Sequence, residues 1–183
     1  MLVLVSRSPQ RRAILERLGV EFRVEAVEVE ELVEGPPELL VVENAARKSR
    51  AVKETEEDVV LGADTAVALG ERVYGKPSSL DEAESCLREL SGQEHEVHGG
   101  IVLGLPGGAE RTGHAVTKVR FRALEDAEIA AYLATGEWRE RAGGYAIQGR
   151  GAALVDWIEG DYFNVVGLPV ATLVGLAPEL FPP

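Results

Sequence analysis

The sequence predicts an α/β fold built on a mixed β-sheet, on the basis of three observations. Short apolar stretches typical of strands, beginning with MLVLV at residues 1–5, alternate with stretches that have the apolar period of helices. Glycine and proline separate these stretches, and PGG at 106–108 marks a hairpin. Strands that alternate with both helices and hairpins favour a mixed sheet. With 183 residues, 45% of them hydrophobic, the chain suits a single domain covering residues 1–183.

The first elements are a buried strand at residues 1–5 and a helix that follows it. Ser8 is a suitable N-cap, Pro9 suits the first helical position, and Gly19 ends the helical pattern. The segment VEFRVEAVEVEE, residues 20–31, alternates apolar and acidic residues as a half-exposed strand does.

The middle of the chain predicts a long helix, three strands, a second helix and a hairpin. The long helix covers 38–54, and residues 58–77 are predicted as strand, glycine-containing bend, strand, turn and strand. The next helix begins after Ser79 or Asp81, and the hairpin covers 95–124.

The last third predicts two helices around a β region. A helix in residues 125–138 closes at Gly136. Residues 142–169 are predicted as loop, strand, turn and strand, and residues 170–180 as a terminal helix.

The composition limits the classes of partner. A formal charge of −12 argues against loose binding to nucleic acid or to anionic membranes. No stretch reaches the roughly 18 apolar residues of a membrane span, so a cytoplasmic protein is expected. The single cysteine, Cys86, excludes an intrachain disulfide. His95 and His98 would lie on opposite faces of a strand, which disfavours a histidine metal site.

Polar residues at two strand ends suggest an anion site and a reactive carboxylate. In SRSPQRR the start of a helix would present free N–H groups together with Ser8 and Arg11, which suit phosphate oxygens. In LGADTAV, Asp64 follows a buried run and must meet a cation, a metal or hydrogen-bond donors. An ordinary capped helix and an Asx-turn are the structural alternatives. Glu31, at the end of the acidic strand, could equally be a surface residue.

Three further polar residues could contact a ligand, and the two lysines among them suit phosphate. Lys76 lies between a glycine and a proline in YGKP, and lysine commonly binds phosphate. Lys48 in ENAARKSRAV could act alike, and Gln148 lies in the glycine-rich GGYAIQGRG. A turn lysine, a solvated helix face and a glycine turn are the respective alternatives. The nucleotide fingerprints GxxxxGK[ST] and GxGxxG do not occur.

Taken in order, these segments resemble the Maf family of nucleoside triphosphate pyrophosphatases over nearly the whole chain. The matching segments are LVSRSPQRRAILERLG, ENAARKSRAV, the run from VLGADTAV through YGKP to GGIVL, VTKVRFRALEDAEIAAYLATGEW, and GGYAIQGRGAALV with GDYFNVVGLPVATL. The resemblance implies a curved mixed sheet with flanking helices, related to the inosine triphosphatase fold, with two lobes around a nucleotide cleft. It also implies hydrolysis of a nucleoside triphosphate to the monophosphate and pyrophosphate.

The resemblance also implies roles for single residues. Asp64 matches the catalytic proton acceptor, and Arg11, Thr65 and Gln148 match the specificity positions of the branch that cleaves dTTP and UTP. A divalent metal, Mg²⁺ or Mn²⁺, is expected on the carboxylates of Glu31 and Asp64. The expected phosphate ligands are Ser8, Lys48 and Lys76.

The partner expected is a nucleoside triphosphate, modified pyrimidine nucleotides included, and a homodimer is possible. The alternatives are a 7-methyl-GTP pyrophosphatase, a purine enzyme like inosine triphosphatase, and a nucleotide-binding regulator of septum formation. Three residues depart from the family pattern: Gln10 replaces an arginine, Arg141 a lysine and Gly99 a common threonine.

Overall fold

The computed structural model describes residues 1–52 and 58–181. Their core is a curved seven-stranded sheet flanked by helices. The strands are β1 Leu2–Val5, β2 Phe22–Glu25, β3 Val59–Leu69, β4 Arg72–Tyr74, β5 Glu94–Gly104, β6 Glu110–Phe121 and β7 Val155–Glu159. The helices are α1 Pro9–Arg17, α2 Pro37–Arg50, α3 Leu80–Leu90, α4 Asp126–Ala134, α5 Tyr162–Val166 and α6 Val170–Leu176. No helix of the described ranges is long and apolar enough to cross a membrane.

The sheet is mixed, as predicted. Its strand order is β2-β1-β3-β5-β6-β7, and β4 pairs with β3. The pairs β1–β2 and β1–β3 are parallel, whereas β3, β5, β6 and β7 pair antiparallel in turn. The three long strands β3, β5 and β6 therefore lie side by side in the sheet, and helices pack against them.

The helix starts and stops agree with the local sequence signals. The side chain of Ser8 accepts a hydrogen bond from the Arg11 amide, and Ser79, rather than Asp81, caps α3 in the same way. Gly19 and Gly136 follow their helices with positive φ values of 68° and 73°. The predicted end of α2, at 53–54, lies outside the described residues.

Three predicted strands differ from the structure. The strand predicted over 20–31 is regular only over Phe22–Glu25, because β1, its partner, ends opposite Glu25. The bend predicted at Gly62 is absent: β3 is continuous there, since Gly62 is paired with strands on both sides. The last predicted strand is the short helix Tyr162–Val166, which begins where the Asp161 carboxylate caps the Phe163 amide.

Two large apolar clusters form the two lobes. One joins β3, β5 and β6 to α3 and α4, with Val97, Phe121 and Tyr145 among its members. The other joins β1, β3 and β5 to α1 and α6. Val166 packs against both clusters. Each lobe thus has its own core, and the long strands connect them.

Two glycines allow α2 to lie directly on the sheet. A β-carbon at Gly62 would stand 2.0 Å from the Ala45 carbonyl oxygen, and one at Gly100 would stand 2.5 Å from the Val41 backbone. A side chain at either position would push the helix outward. This close approach brings the buried face of α2 within hydrogen-bonding distance of β3.

The packing explains why position 99 is a glycine, where the family commonly has a threonine. A β-carbon there would stand 1.9 Å from Oδ1 of Asn164, which is fully buried. The Asn164 amide nitrogen donates to the Val97 carbonyl at 2.9 Å and to the Thr117 hydroxyl at 3.1 Å. The missing side chain at position 99 therefore makes room for a polar link between α5, β5 and β6.

We predict that Gly99→Ala destabilises the fold by about 1–3 kcal/mol through overpacking. The double variant Gly99→Ala/Asn164→Ala should lose at least about 1 kcal/mol less than the sum of the single variants, because the colliding amide is gone. Urea unfolding measures all three. Gly175→Ala is the control, since a β-carbon at Gly175 meets no atom within 4 Å. Strict additivity would contradict the packing explanation.

Candidate active site

All eight residues predicted for the site line one cavity of about 810 Å³. They come from distant parts of the chain: the start of α1, the segment before α2, α2 itself, β3 and two loops. Val166, which packs against both apolar clusters, is one of the residues that line it, so the cavity corresponds to the predicted cleft. The eight are Ser8, Arg11, Glu31, Lys48, Asp64, Thr65, Lys76 and Gln148.

The Asp64 carboxylate lies midway along β3 and is hydrogen-bonded at both oxygens. Its Oδ1 accepts from Nζ of Lys48 at 2.7 Å, and its Oδ2 accepts from the Asn44 amide at 3.1 Å. Lys48 also forms an ion pair of 2.8 Å with Glu31. One ammonium thus bridges two carboxylates. The side chains of Lys48 and Asp64 are only 12% and 13% exposed, so solvent screens this pair weakly.

The start of α1 forms the wall of the cavity that was predicted for phosphate. The Ser8 hydroxyl oxygen accepts from the Arg11 amide at 3.4 Å, and its hydrogen is donated to the Gln10 side chain at 3.0 Å. Gln10, which replaces the family's usual arginine, therefore binds the hydroxyl that was predicted to contact phosphate. A phosphate ligand would have to displace Gln10 from Ser8.

Arg11 is buried and its guanidinium group joins three segments. Nε donates to the Gly167 carbonyl at 2.8 Å, and the two terminal nitrogens donate to hydroxyls of Ser6 at 3.2 Å and Thr65 at 3.1 Å. Burial lowers the pKa of Arg11, whereas the negative charges of Asp64 and Glu31 oppose that lowering. Arg11 therefore cross-links α1, β3 and the loop after α5.

The opposite wall consists of the loops that carry Lys76 and Gln148. Lys76 forms an exposed ion pair of 3.3 Å with Glu140, and Gln148 is exposed. Two backbone amides fix the second loop: that of Gly143 donates to the Gly75 carbonyl, and that of Ala146 donates to the Tyr132 hydroxyl, both at 3.0 Å. The loop backbone is thus anchored, while the two polar side chains face solvent.

Arg141 and Tyr145 also line this wall, and neither belongs to the predicted site. Burial lowers the pKa of Arg141 and raises that of Tyr145. Beneath them the Tyr145 hydroxyl pairs with Nε2 of His95 at 2.9 Å, and burial lowers the pKa of His95 to about 4. His95 is therefore a neutral core residue at neutral pH.

Sequence reasoning missed Asn44, which contacts the central carboxylate directly. The available signal was its spacing, because Asn44 lies four residues before Lys48 and so on the same helix face. A polar residue among the apolar positions of that face must find hydrogen-bonding partners. In the structure it finds them at Asp64 and at the backbone of Leu32.

The carboxylates of Glu31 and Asp64 fit the expected divalent cation. Both already converge on one positive charge, the Lys48 ammonium. Their ligand atoms are all oxygens, as Mg²⁺ and Mn²⁺ prefer. Within residues 1–52 and 58–181 no group of three or more acidic, histidine or cysteine residues could hold a metal. Two carboxylates are nevertheless sufficient, because Mg²⁺ commonly takes its other ligands from water and substrate phosphates.

Comparison with known proteins places this cavity in a family context. The family model described as Maf-like protein matches residues 1–180. A protein of Gloeobacter violaceus named dTTP/UTP pyrophosphatase is 46% identical over 181 residues, covering 97% of this chain and 95% of the relative. One of the same name from Moorella thermoacetica is 50% identical over 173 residues, covering 92% and 89%. The solved Ham1 protein of Staphylococcus aureus is 16% identical, with a TM-score of 0.48 over 66% of this chain and 71% of that one.

We predict that Arg11→Lys lowers the free energy of unfolding by about 1–3 kcal/mol, because one ammonium cannot replace the planar fork at three separate oxygens. Arg12→Lys is the matched control: Arg12 is exposed and its ion pair with Glu16 is long, at 3.4 Å, so its replacement should cost less than about 0.5 kcal/mol. Urea unfolding compares the two, and equal losses would contradict the cross-linking role.

Proposed function

This chain belongs to the Maf family, and we propose that it hydrolyses dTTP and UTP to the monophosphate and pyrophosphate. The observation that carries the proposal is the convergence of Asp64, Lys48 and Glu31 in a cavity whose rim holds Thr65 and Gln148. The relatives named dTTP/UTP pyrophosphatase support the same substrates.

The cations of the cavity would bind the triphosphate. Lys48 and Lys76 each already hold a carboxylate, at Asp64 and Glu140 respectively, and Arg141 lines the same cavity. A triphosphate competes for these cations because its oxygens carry more charge than a single carboxylate. Lys76 should change partner most readily, since both members of its ion pair are exposed.

Asp64 would accept the proton in the chemical step. The oxygen of a water molecule forms a bond to the α-phosphorus, and the bond from that phosphorus to the bridging oxygen breaks. The electron pair leaves with pyrophosphate, and the proton of the water passes to a carboxylate oxygen of Asp64. The donors on both oxygens of Asp64 hold the carboxylate in one orientation for this transfer.

Glu31 and Asp64 would hold the divalent cation, which supplies neutralising charge to the phosphates when it is bound. Lys48 contacts both carboxylates. The ammonium therefore keeps the two acids together against their mutual repulsion before substrate arrives.

Gln148 is the side chain best placed to distinguish the bases. Uracil and thymine present acceptor, donor and acceptor along one edge, and a glutamine amide can pair with a carbonyl and an N–H. Gln148 is exposed at the cavity, whereas Arg11 uses its donors within the protein. Thr65 is bound to Arg11 and to the Gly167 carbonyl, so both residues would contribute mainly to the shape of the pocket.

We predict that purified protein with Mg²⁺ or Mn²⁺ releases pyrophosphate from dTTP and UTP faster than from CTP, GTP and ATP. A pyrophosphate assay over this panel tests the proposal. Release of orthophosphate in place of pyrophosphate would contradict it. Binding of these nucleotides without turnover of any of them would favour the alternative, a nucleotide-binding regulator of septum formation.

Asp64→Asn should lower the turnover number for UTP by about 10²–10⁴-fold, because the amide cannot accept the proton. Asp156→Asn is the control, since Asp156 is an exposed residue of β7 outside the cavity. Initial rates at saturating UTP compare the variants. Near-normal turnover by Asp64→Asn would refute the assignment of the proton acceptor.

Gln148→Ala should reduce the preference for UTP over CTP by about tenfold, the value of a hydrogen bond in a polar site. Gln93→Ala, an exposed glutamine outside the cavity, should leave the preference unchanged. The ratio of kcat/KM values for the two nucleotides measures the effect, and an unaltered ratio in Gln148→Ala would exclude base reading by this residue.

A further inference from the structure

The Asn44 amide lies behind the carboxylates of the site and uses both of its polar atoms. Asn44 is 1% exposed on the face of α2 that packs on the sheet. Its Oδ1 accepts from the Leu32 amide at 2.7 Å, and its Nδ2 donates to the Leu32 carbonyl at 3.0 Å. Nδ2 also donates to Oδ2 of Asp64 at 3.1 Å. A single side chain thus binds one backbone unit and one carboxylate.

The partners determine the orientation of this amide. The backbone N–H of Leu32 can only donate, so the atom facing it must be the oxygen. The nitrogen then faces two groups that can only accept, the Leu32 carbonyl and the ionised Asp64 carboxylate. A flipped amide would place a donor against a donor and an acceptor against two acceptors. The arrangement therefore admits one orientation.

The backbone of Leu32 affects the site because Leu32 directly follows Glu31 in the sequence. The segment between β2 and α2 has no regular structure over residues 26–36, and it carries Glu31. Its backbone is held to α2 by Asn44 and by Arg47, whose guanidinium donates to the Glu30 carbonyl at 2.7 Å. Asn44 thereby fixes the backbone next to Glu31 and contacts Asp64 directly.

We propose that Asn44 is a positioning residue that sets the placement of Glu31 relative to Asp64. The inference rests on the proposed function, since it assigns this pair of carboxylates to the reaction. Lys48 attracts both acids electrostatically, but an ammonium on a flexible stem does not fix the orientation of one carboxylate relative to the other. A planar amide that makes three directed hydrogen bonds does fix this orientation. Asn44, at 1% exposure, acts through the two acids.

Two substitutions separate the contributions of Asn44. Asn44→Leu keeps a similar volume and removes all three hydrogen bonds. Asn44→Asp keeps an acceptor for the Leu32 amide but turns an oxygen towards Asp64 in place of the donor. Ser49→Ala is the matched control: Ser49 lies on the same helix, is also 1% exposed, and its hydroxyl donates to the β3 carbonyl of Val60 at 3.1 Å.

The experiment measures kcat and KM for UTP together with hydrogen exchange at the Leu32 amide in the nucleotide-free protein. Asn44→Leu should lower kcat by about 10–100-fold, as loss of an outer hydrogen-bonding partner does, with KM changed less than about threefold. Its Leu32 amide should exchange at least about tenfold faster. Asn44→Asp should lower kcat comparably while the Leu32 amide stays protected. Ser49→Ala should lower the urea midpoint and leave kcat within about twofold.

The outcomes separate this inference from the proposed function. An unprotected Leu32 amide in Asn44→Leu with unchanged kcat would overturn the positioning role, and so would a protected amide in that variant. If Asn44→Leu fails to fold, an unchanged kcat in Asn44→Asp overturns the positioning role proposed for the contact between Asn44 and Asp64. If the unaltered protein does not cleave UTP, the proposed function fails, and the exchange measurement still tests whether Asn44 holds the segment.

Discussion

The site depends on the way in which α2 holds the Asp64 carboxylate. An acidic group in the middle of a buried strand costs free energy unless donors surround it. Here Asn44 and Lys48, one helical turn apart, supply a donor to each oxygen. They reach it because Gly62 and Gly100 have no side chains and α2 lies directly on β3 and β5. Without those two glycines the carboxylate would lose both partners together.

The charge distribution follows from the same arrangement. The protein carries a formal charge of −12, yet cations line its cavity. Lys48 and Lys76 are paired with acids, and Arg11 binds neutral oxygens. A strongly negative ligand can replace the acids as partner of the lysines, whereas Arg11 remains a structural link. Under the proposed function, these cations would attract the triphosphate to the cavity despite the acidic exterior.

Local sequence signals predicted the elements that depend on neighbours in the chain. Ser8 and Ser79 cap helices, and the PGG turn joins β5 to β6, because these features need only a few adjacent residues. The predictions of secondary structure are wrong where tertiary contacts determine whether a strand forms. Residues 26–31 alternate like a strand, but β1 ends opposite Glu25 and offers no further partner. Glu30 and Glu31 contact α2 instead.

The structure brings the predicted site residues together, but their contacts could not be predicted from the sequence. The eight residues share one cavity, as the resemblance implied, yet Arg11 binds inside the protein and Gln10 binds the hydroxyl of Ser8. The spacing from Asn44 to Lys48 indicated a shared helix face, but it did not identify the partners of Asn44, Leu32 and Asp64, which lie on two other segments. The sequence therefore encodes the positions of helices and turns more locally than it encodes the hydrogen bonds of the site.

Under the proposed function, water attacks the α-phosphorus of the nucleotide, and the fate of the water oxygen tests this most directly. UTP is hydrolysed in water labelled with heavy oxygen, and the two products are separated and weighed by mass spectrometry. The account predicts the label in the monophosphate and none in pyrophosphate. Label in pyrophosphate would contradict it, because the water would then have attacked the β-phosphorus.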